Sequence, residues 1–192
     1  GGNASVFFFR KYVADLSDYL YKEVGVCIGQ TIIAHLLWAD DLILFSDTVE
    51  GLQRQLNGLY NFCSENMLIV NQVKTKVMVF GKRGEVSVTF NGAKLECVNY
   101  YKYLGNIIKG IKKCNGDVFG ENYKYLCDKG RNAIFGAFKK LRPLGTLPVE
   151  IMCHMFDSLV RPILVYGSDV WGMNKSGTMA VDKYLCGISD VS

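Results

Sequence analysis

The sequence predicts an α+β fold over residues 1–110 and a mostly helical region over residues 111–192. Two patterns carry this prediction. Short apolar runs bounded by turn residues crowd the first part, at 36–38, 42–45, 77–80, 86–90 and 93–98. In the second part, apolar residues recur at three- and four-residue steps from 117 to 141, interspersed with basic residues. With 192 residues, 49% of them hydrophobic and 21% charged, the chain buries enough surface for an ordinary core without staples. That composition excludes intrinsic disorder and collagen-like architecture.

Taken in order, Phe8, Phe9, Tyr12, Val13, Leu16, Tyr19 and Leu20 predict an amphipathic helix over 5–22, ending before Gly25. Leu36-Leu37-Trp38 and Leu42-Ile43-Leu44-Phe45 flank the polar corner Ala39-Asp40-Asp41, which reads as a β-hairpin. Thr48 suits an N-cap, and Leu52, Leu56, Leu59 and Cys63 continue a helix to about Met67 despite Gly58. Strands are expected at 77–80, 86–90 and 93–98. The pair Asn91-Gly92 joins the last two by a type I′ turn, whose residues both take positive φ. Residues 100–108 form a further strand candidate. The helix at 117–141 stops at Arg142-Pro143-Leu144-Gly145, and Pro148 suits the first turn of a second helix running to about Val165.

The 22 basic against 18 acidic residues leave a net charge of +4, which permits a polyanionic partner without demanding one. No stretch approaches the ~20 apolar residues of a membrane span. The seven cysteines form no CxxC pair and the two histidines stand far apart, so no zinc spacing arises. An odd, scattered set reads as reduced thiols, which places the protein in the cytoplasm or nucleus. The opening residues Gly1-Gly2-Asn3-Ala4-Ser5 lack a basic n-region and an initiating Met, so a signal peptide is not expected and an internal start is.

Asp40 and Asp41 are the chemical feature of the first part. Adjacent carboxylates at a hairpin corner can hold hard cations, and a pair of Mg²⁺ ions can clamp the attacking and leaving oxygens of a phosphoryl transfer. Such a clamp needs more than two carboxylates. Asp-Asp is also common in plain turns, where it caps backbone N–H groups. The surrounding text decides between these readings. Leu36-Leu37-Trp38-Ala39-Asp40-Asp41-Leu42-Ile43-Leu44-Phe45-Ser46 resembles the (Y/F)-A-D-D box of reverse transcriptases, particularly those of non-LTR (LINE-type) retrotransposons. Glu50-Gly51-Leu52-Gln53 with Leu56, Leu59 and Cys63 resembles the helix after that box. Residues Val70-Asn71-Gln72-Val73-Lys74-Thr75-Lys76-Val77-Met78-Val79-Phe80 resemble its N-x-x-K-T-x-x-M-x-F motif. Tyr101-Lys102-Tyr103-Leu104-Gly105 is similar to the F-K-Y-L-G strand of the primer grip. Asp128-Lys129, 131–133, Leu141 and the run Leu159 to Gly172 are similar to the helical thumb and its continuation.

The resemblance implies a partial polymerase palm, an antiparallel sheet with helices over 1–110, followed by a helical thumb over 111–192. It implies an RNA-directed DNA polymerase that uses Mg²⁺ or Mn²⁺ in the intact protein, with an RNA template, a DNA primer and deoxynucleotides as partners. Asp40 is then the metal-ligating member of the pair and Asp41 its partner beside the primer end. Lys74 matches the lysine that neutralises the leaving pyrophosphate, since an ammonium stabilises developing phosphate charge. Tyr101, Tyr103 and Gly105 support the primer backbone, and Lys129, Arg131, Lys139 and Lys140, with Lys112, Lys113 and Arg142, contact phosphates. Each has a plainer reading: a solvated strand-end lysine, ordinary strand tyrosines, a solvated basic face.

The chain also departs from that pattern. Residues 1–9 align onto G-C-P-L-S-P-L-L-F, downstream of the first metal-binding Asp, and Asn3, Ala4 and Val6 replace Pro, Leu and Pro. Trp38 replaces Tyr or Phe, and Arg10-Lys11 interrupts a normally apolar helix. These departures predict a fragment, inactive in isolation, with an uncovered apolar face on its sheet. The alternatives are a non-catalytic nucleic-acid-binding remnant and an α+β interaction domain whose Asp-Asp corner is only a turn.

Overall fold

The computed structural model describes residues 3–81, 86–110, 117–145 and 147–172. Packing divides the chain into two units, residues 1–98 and 99–192.

In the first unit the chain runs α1 (Asn3–Tyr12), α2 (Leu16–Tyr19), a 3-10 turn (Lys22–Val24), β1 (Val26–Ile28), β2 (Thr31–Ile33), β3 (His35–Trp38), β4 (Asp41–Leu44), α3 (Val49–Glu65), β5 (Lys76–Val77), β6 (Thr89–Phe90), β7 (Ala93–Lys94) and β8 (Glu96–Cys97). The single helix expected over 5–22 is therefore two. Asp15, Ser17 and Asp18 are weak helix formers whose side chains compete for the backbone. Burial of Val13, Leu16 and Leu20 against Leu56, Leu59, Phe62 and Cys63 decides the path instead.

Helix α3 matches its sequence prediction closely. Thr48 caps it, its Oγ1 accepting from the N–H of Gly51 at 3.0 Å. The glycine in its middle has a packing reason, because a β-carbon at Gly58 would run into the carbonyl oxygen of Tyr19. Two glutamines of this helix tie neighbouring backbone to it. Gln55, fully buried, accepts from the N–H of Tyr21 and donates to its carbonyl, both at 3.0 Å. Gln53 does the same for Thr89, at 2.8 and 2.9 Å.

The antiparallel palm sheet expected from the family resemblance is reduced to two-stranded pieces among the described residues. β1 pairs with β2, β3 with β4 and β6 with β7, all antiparallel, whereas β5 and β8 pair in parallel. The strands expected at 77–80 and 86–90 shrink to the two-residue β5 and β6, and the one expected at 93–98 is split into the two-residue β7 and β8. Their apolar side chains enter the core without long ladders: Val77, Val88, Phe90 and Leu95 are all buried there. The Asn91-Gly92 turn is as expected, with φ of +50° and +75°.

The second unit runs β9 (Tyr100–Tyr103), β10 (Asn106–Lys109), α4 (Gly120–Leu141), a 3-10 turn (Arg142–Leu144), α5 (Val149–Met155), a π-helical turn (Phe156–Val160), α6 (Arg161–Leu164) and α7 (Ser168–Trp171). The strand candidate at 100–108 is in fact a hairpin. Leu104 and Gly105 both take positive φ, +44° and +83°, and reverse the chain between β9 and β10. The helix expected from Pro148 to about Val165 passes through a π turn just before Pro162. Proline lacks an N–H and crowds the preceding turn, and a π turn accommodates the offset. Tyr123, Leu126 and Trp171 form a core cluster here, and Val160 and Leu164 are also fully buried. Among the described residues no helix is long and apolar enough to cross a membrane.

Candidate functional site

In the first unit the antiparallel register of β3 and β4 sets the carboxylates. His35 faces Leu44, Leu36 faces Ile43, Leu37 faces Leu42 and Trp38 faces Asp41, which leaves Ala39 and Asp40 as the two-residue turn. Ala39 has φ of +52°, a region that residues with a β-carbon seldom enter. Asp40 stands in the turn and Asp41 opens β4, both exposed. Leu36, Leu37 and Trp38 are exposed as well, Trp38 by 68%, so the strand leading to the carboxylates carries an uncovered apolar surface. His35, at the start of β3, is half-buried, and its Nδ1 has no hydrogen-bond partner among the described residues. Burial lowers its pKa, and the charge of Lys22 lowers it further.

Lys74 is exposed on a turn between α3 and β5 that Asn71 builds. The Asn71 carbonyl accepts from the N–H groups of Lys74 and Thr75 at 3.1 and 3.0 Å, and its side-chain Oδ1 accepts from Lys74 N–H at 3.1 Å. The asparagine of the N-x-x-K-T motif thus shapes the turn that displays the lysine. Lys76, two residues on, pairs with Glu96 at 2.6 Å and is occupied structurally.

Asp40 and Asp41 offer two carboxylates, and among the described residues no group of three His, Cys, Asp or Glu gathers anywhere. These residues do not by themselves make a closed metal site. A divalent ion there would keep most of its coordination positions for water or other ligands.

In the second unit Tyr101 and Tyr103 alternate along β9 and lie half-buried on one face, while Lys102 between them is exposed. Gly105 turns the hairpin, and the Tyr166 ring fills the space beside it. A β-carbon on Gly105 would lie 2.8 Å from Tyr166 Cε1, and the Tyr166 hydroxyl donates to the Leu104 carbonyl at 2.9 Å. Asn122 of α4, fully buried, holds the returning strand: its Oδ1 accepts from Ile107 N–H at 2.8 Å and its Nδ2 donates to Asn106 Oδ1 at 3.0 Å.

The basic residues of α4 divide into kinds. Arg131 pairs with Asp128 at 3.0 Å. Lys139 and Lys140 lie exposed in its last turn, where positive charge complements the helix dipole. Lys129 and Lys140 are 11 residues apart on the same helix, about three turns, and so share a face. Lys139 and Arg142, with Phe135, Phe138, Leu141 and Met152, line an open groove of about 450 Å³. Lys112 and Lys113 lie outside the described residues.

Lys102 and Tyr125 are functional candidates that sequence reasoning missed. Lys102 Nζ donates to the phenol oxygen of Tyr125 at 2.7 Å, and the Lys129 ammonium lies 5.4 Å from the centre of the same ring. The hydrogen bond from Lys102 lowers the Tyr125 pKa, and the charges of the two lysines lower it further against the opposing effect of burial. Spacing of Tyr125 and Lys129 at i, i+4 was a visible signal; the approach of Lys102 was not.

Residues 1–108 match the family described as reverse transcriptase (RNA-dependent DNA polymerase), a span that includes the whole first unit and most of the β9–β10 hairpin. The chain is also similar to a transposon-derived protein of Caenorhabditis elegans, 28% identical over 151 residues that make up 75% of this chain and 50% of that protein. It therefore spans about half the length of that relative. No solved structure matches the chain.

Proposed function

Because this chain belongs to the reverse transcriptase (RNA-dependent DNA polymerase) family, we propose that it is the palm and thumb portion of an RNA-directed DNA polymerase of the non-LTR retrotransposon type. The observation that carries this reading is the Asp40-Asp41 pair, exposed at a tight hairpin corner inside the matched span. Residues 1–110 act as the palm and 111–192 as the thumb, with an RNA template and a DNA primer as partners. Asp40 would be the metal-ligating member of the pair and Asp41 its partner beside the primer end. The Lys74 ammonium neutralises charge on the departing pyrophosphate, Tyr101, Tyr103 and Gly105 support the primer backbone, and Lys129, Arg131, Lys139 and Lys140 contact phosphates.

Enzymes of this family typically use Mg²⁺, which stabilises the charge that builds on the phosphoryl oxygens. The two carboxylates here are fewer than a two-ion clamp needs, so these residues alone are not expected to extend a primer.

A second reading, which the exposed Lys129, Lys139 and Lys140 of α4 favour, is a non-catalytic nucleic-acid-binding remnant. One titration addresses both readings. Binding of a labelled RNA–DNA hybrid, followed against salt, should give log K falling linearly with log salt, at about 0.9 per phosphate engaged. Absence of binding at low salt would sink both and leave an interaction domain.

A further inference from the structure

We infer that Asn91-Gly92, the turn between β6 and β7, is a site of spontaneous deamidation, and that the isoaspartate formed there opens this hairpin. The modification needs only water as co-reactant, and the same dipeptide in α3 is protected from it.

An Asn-Gly pair reacts when its glycine N–H is free to lose a proton and attack, and when the asparagine amide is unengaged. Asparagine is among the thermolabile residues, and glycine, lacking a β-carbon, leaves the attacking nitrogen uncrowded. The Gly92 nitrogen bonds to Asn91 Cγ, the Cγ–Nδ2 bond breaks and ammonia leaves, closing a succinimide ring. Water then adds to either ring carbonyl. Opening at Cγ leaves aspartate. Opening at the main-chain carbonyl leaves isoaspartate, whose backbone runs through the side-chain methylene. Asparagine and water thus give an acid and ammonia, and nothing is oxidised or reduced.

The sequence holds three Asn-Gly pairs, of which Asn115-Gly116 lies outside the described residues. The other two sit in opposite surroundings. The pairing of Phe90 with Ala93 leaves Asn91 and Gly92 as a two-residue turn, both of them exposed. Neither the Asn91 side chain nor the Gly92 N–H takes part in a hydrogen bond among the described residues. In α3, by contrast, Gly58 is buried, its N–H belongs to the helical ladder, and the Tyr19 carbonyl oxygen lies against it. The Asn57 Oδ1 is engaged too, accepting from Gln53 Nε2 at 2.9 Å. Nucleophile and amide are therefore both available at 91–92 and both tied up at 57–58.

The turn matters to the first unit. Phe90 beside it is buried and packs edge-on against Tyr60 with ring centres 5.9 Å apart, and Thr89 receives both hydrogen bonds of Gln53. A two-residue turn of this kind depends on positive φ at both positions, here +50° and +75°. An extra methylene in the main chain removes that geometry and with it the register of β6 on β7.

The test incubates the full chain in mildly alkaline buffer, folded and in urea, and follows the peptides holding Asn91 and Asn57 by mass spectrometry after proteolysis. In the folded chain Asn91 should convert at least about tenfold faster than Asn57, since a helix interior opens far more rarely than an exposed turn. In urea the two rates should converge. Asn91→Asp carries the plain hydrolysis product in a pair that also favours this turn, and should melt with the wild type. The isoaspartate fraction of aged protein should melt lower. Equal conversion of both asparagines in the folded chain, or conversion of neither while both convert in urea, would overturn the site. An isoaspartate fraction that melts with the wild type would overturn the opening of the hairpin.

Discussion

The hydroxyl of Tyr166 donates to the carbonyl oxygen of Leu104 at 2.9 Å, across 62 residues of sequence, and its ring occupies the space that a β-carbon on Gly105 would need. The turn of the β9–β10 hairpin is therefore clamped by a residue from beyond α6. Trp171 anchors the clamp in turn, its Nε1 donating to the Tyr166 carbonyl at 2.9 Å.

This clamp sets an order of effects. Tyr166→Phe loses one hydrogen bond and should cost about 1 kcal/mol in urea unfolding. Gly105→Ala meets both a positive φ of +83° and the Tyr166 ring, and should cost about 1–3 kcal/mol. Adding Tyr166→Ala to Gly105→Ala should cost less than the sum of the two single losses, because the ring that clashes is gone. Strict additivity would show that the ring does not constrain the turn.

Gln55 offers a sharper stability test. Gln55→Met preserves volume but strands the N–H and the carbonyl of Tyr21, and about 2 kcal/mol or more should be lost. Gln53→Met removes the matching pair of bonds to Thr89, which is exposed, so water replaces them and the loss should be smaller. Denaturant midpoints of the two variants give the comparison, and equal losses would contradict it.

His35 should make the first unit sensitive to acid. Its folded pKa lies below the ordinary value near 6.5, so the unfolded chain takes up the proton first as pH falls. The sign follows: stability is unaffected above about pH 6.5–7 and declines below it, down to the folded pKa. Melting temperatures of wild type and His35→Gln should run parallel at pH 7–8 and separate between pH 6.5 and 5.5, with the wild type losing more. Parallel curves throughout would show that this imidazole is as solvated folded as unfolded.

The Asp-Asp corner should be nearly silent in stability. Both carboxylates are exposed, so Asp40→Asn with Asp41→Asn should change unfolding free energy by no more than about 0.5 kcal/mol. Primer extension on an RNA template with Mg²⁺ or Mn²⁺ should give no product from either protein. Product from the wild type that disappears in the double variant would overturn the expectation that two carboxylates are too few.

Several features were legible because their signals are local. The capping oxygen of Thr48 and the leucine spacing after it define α3 within one stretch of chain, and Asn91-Gly92 defines its turn with two residues. The order of short motifs from Trp38 to Gly105 likewise marks the family without any contact being known. The hairpin at 100–109 was less visible, since Leu-Gly is a weaker turn signal than Asn-Gly, and a period-two run can hide a reversal. The break between α1 and α2 was missed because helical periodicity persists across Asp15, while burial of Val13 and Leu20 decides where the chain bends.

What the sequence alone determined is the α+β start, the helices among the described residues from 120 to 171, the exposed carboxylate corner and the membership these motifs announce. Tertiary structure decided the rest: that Gln55 holds Tyr21, that Tyr166 holds the turn at Gly105, and that Lys102 and Lys129 converge on Tyr125. Periodicity and capping act over a few residues, whereas each of these pairings depends on how separate elements pack, and packing is set by the burial of the whole unit.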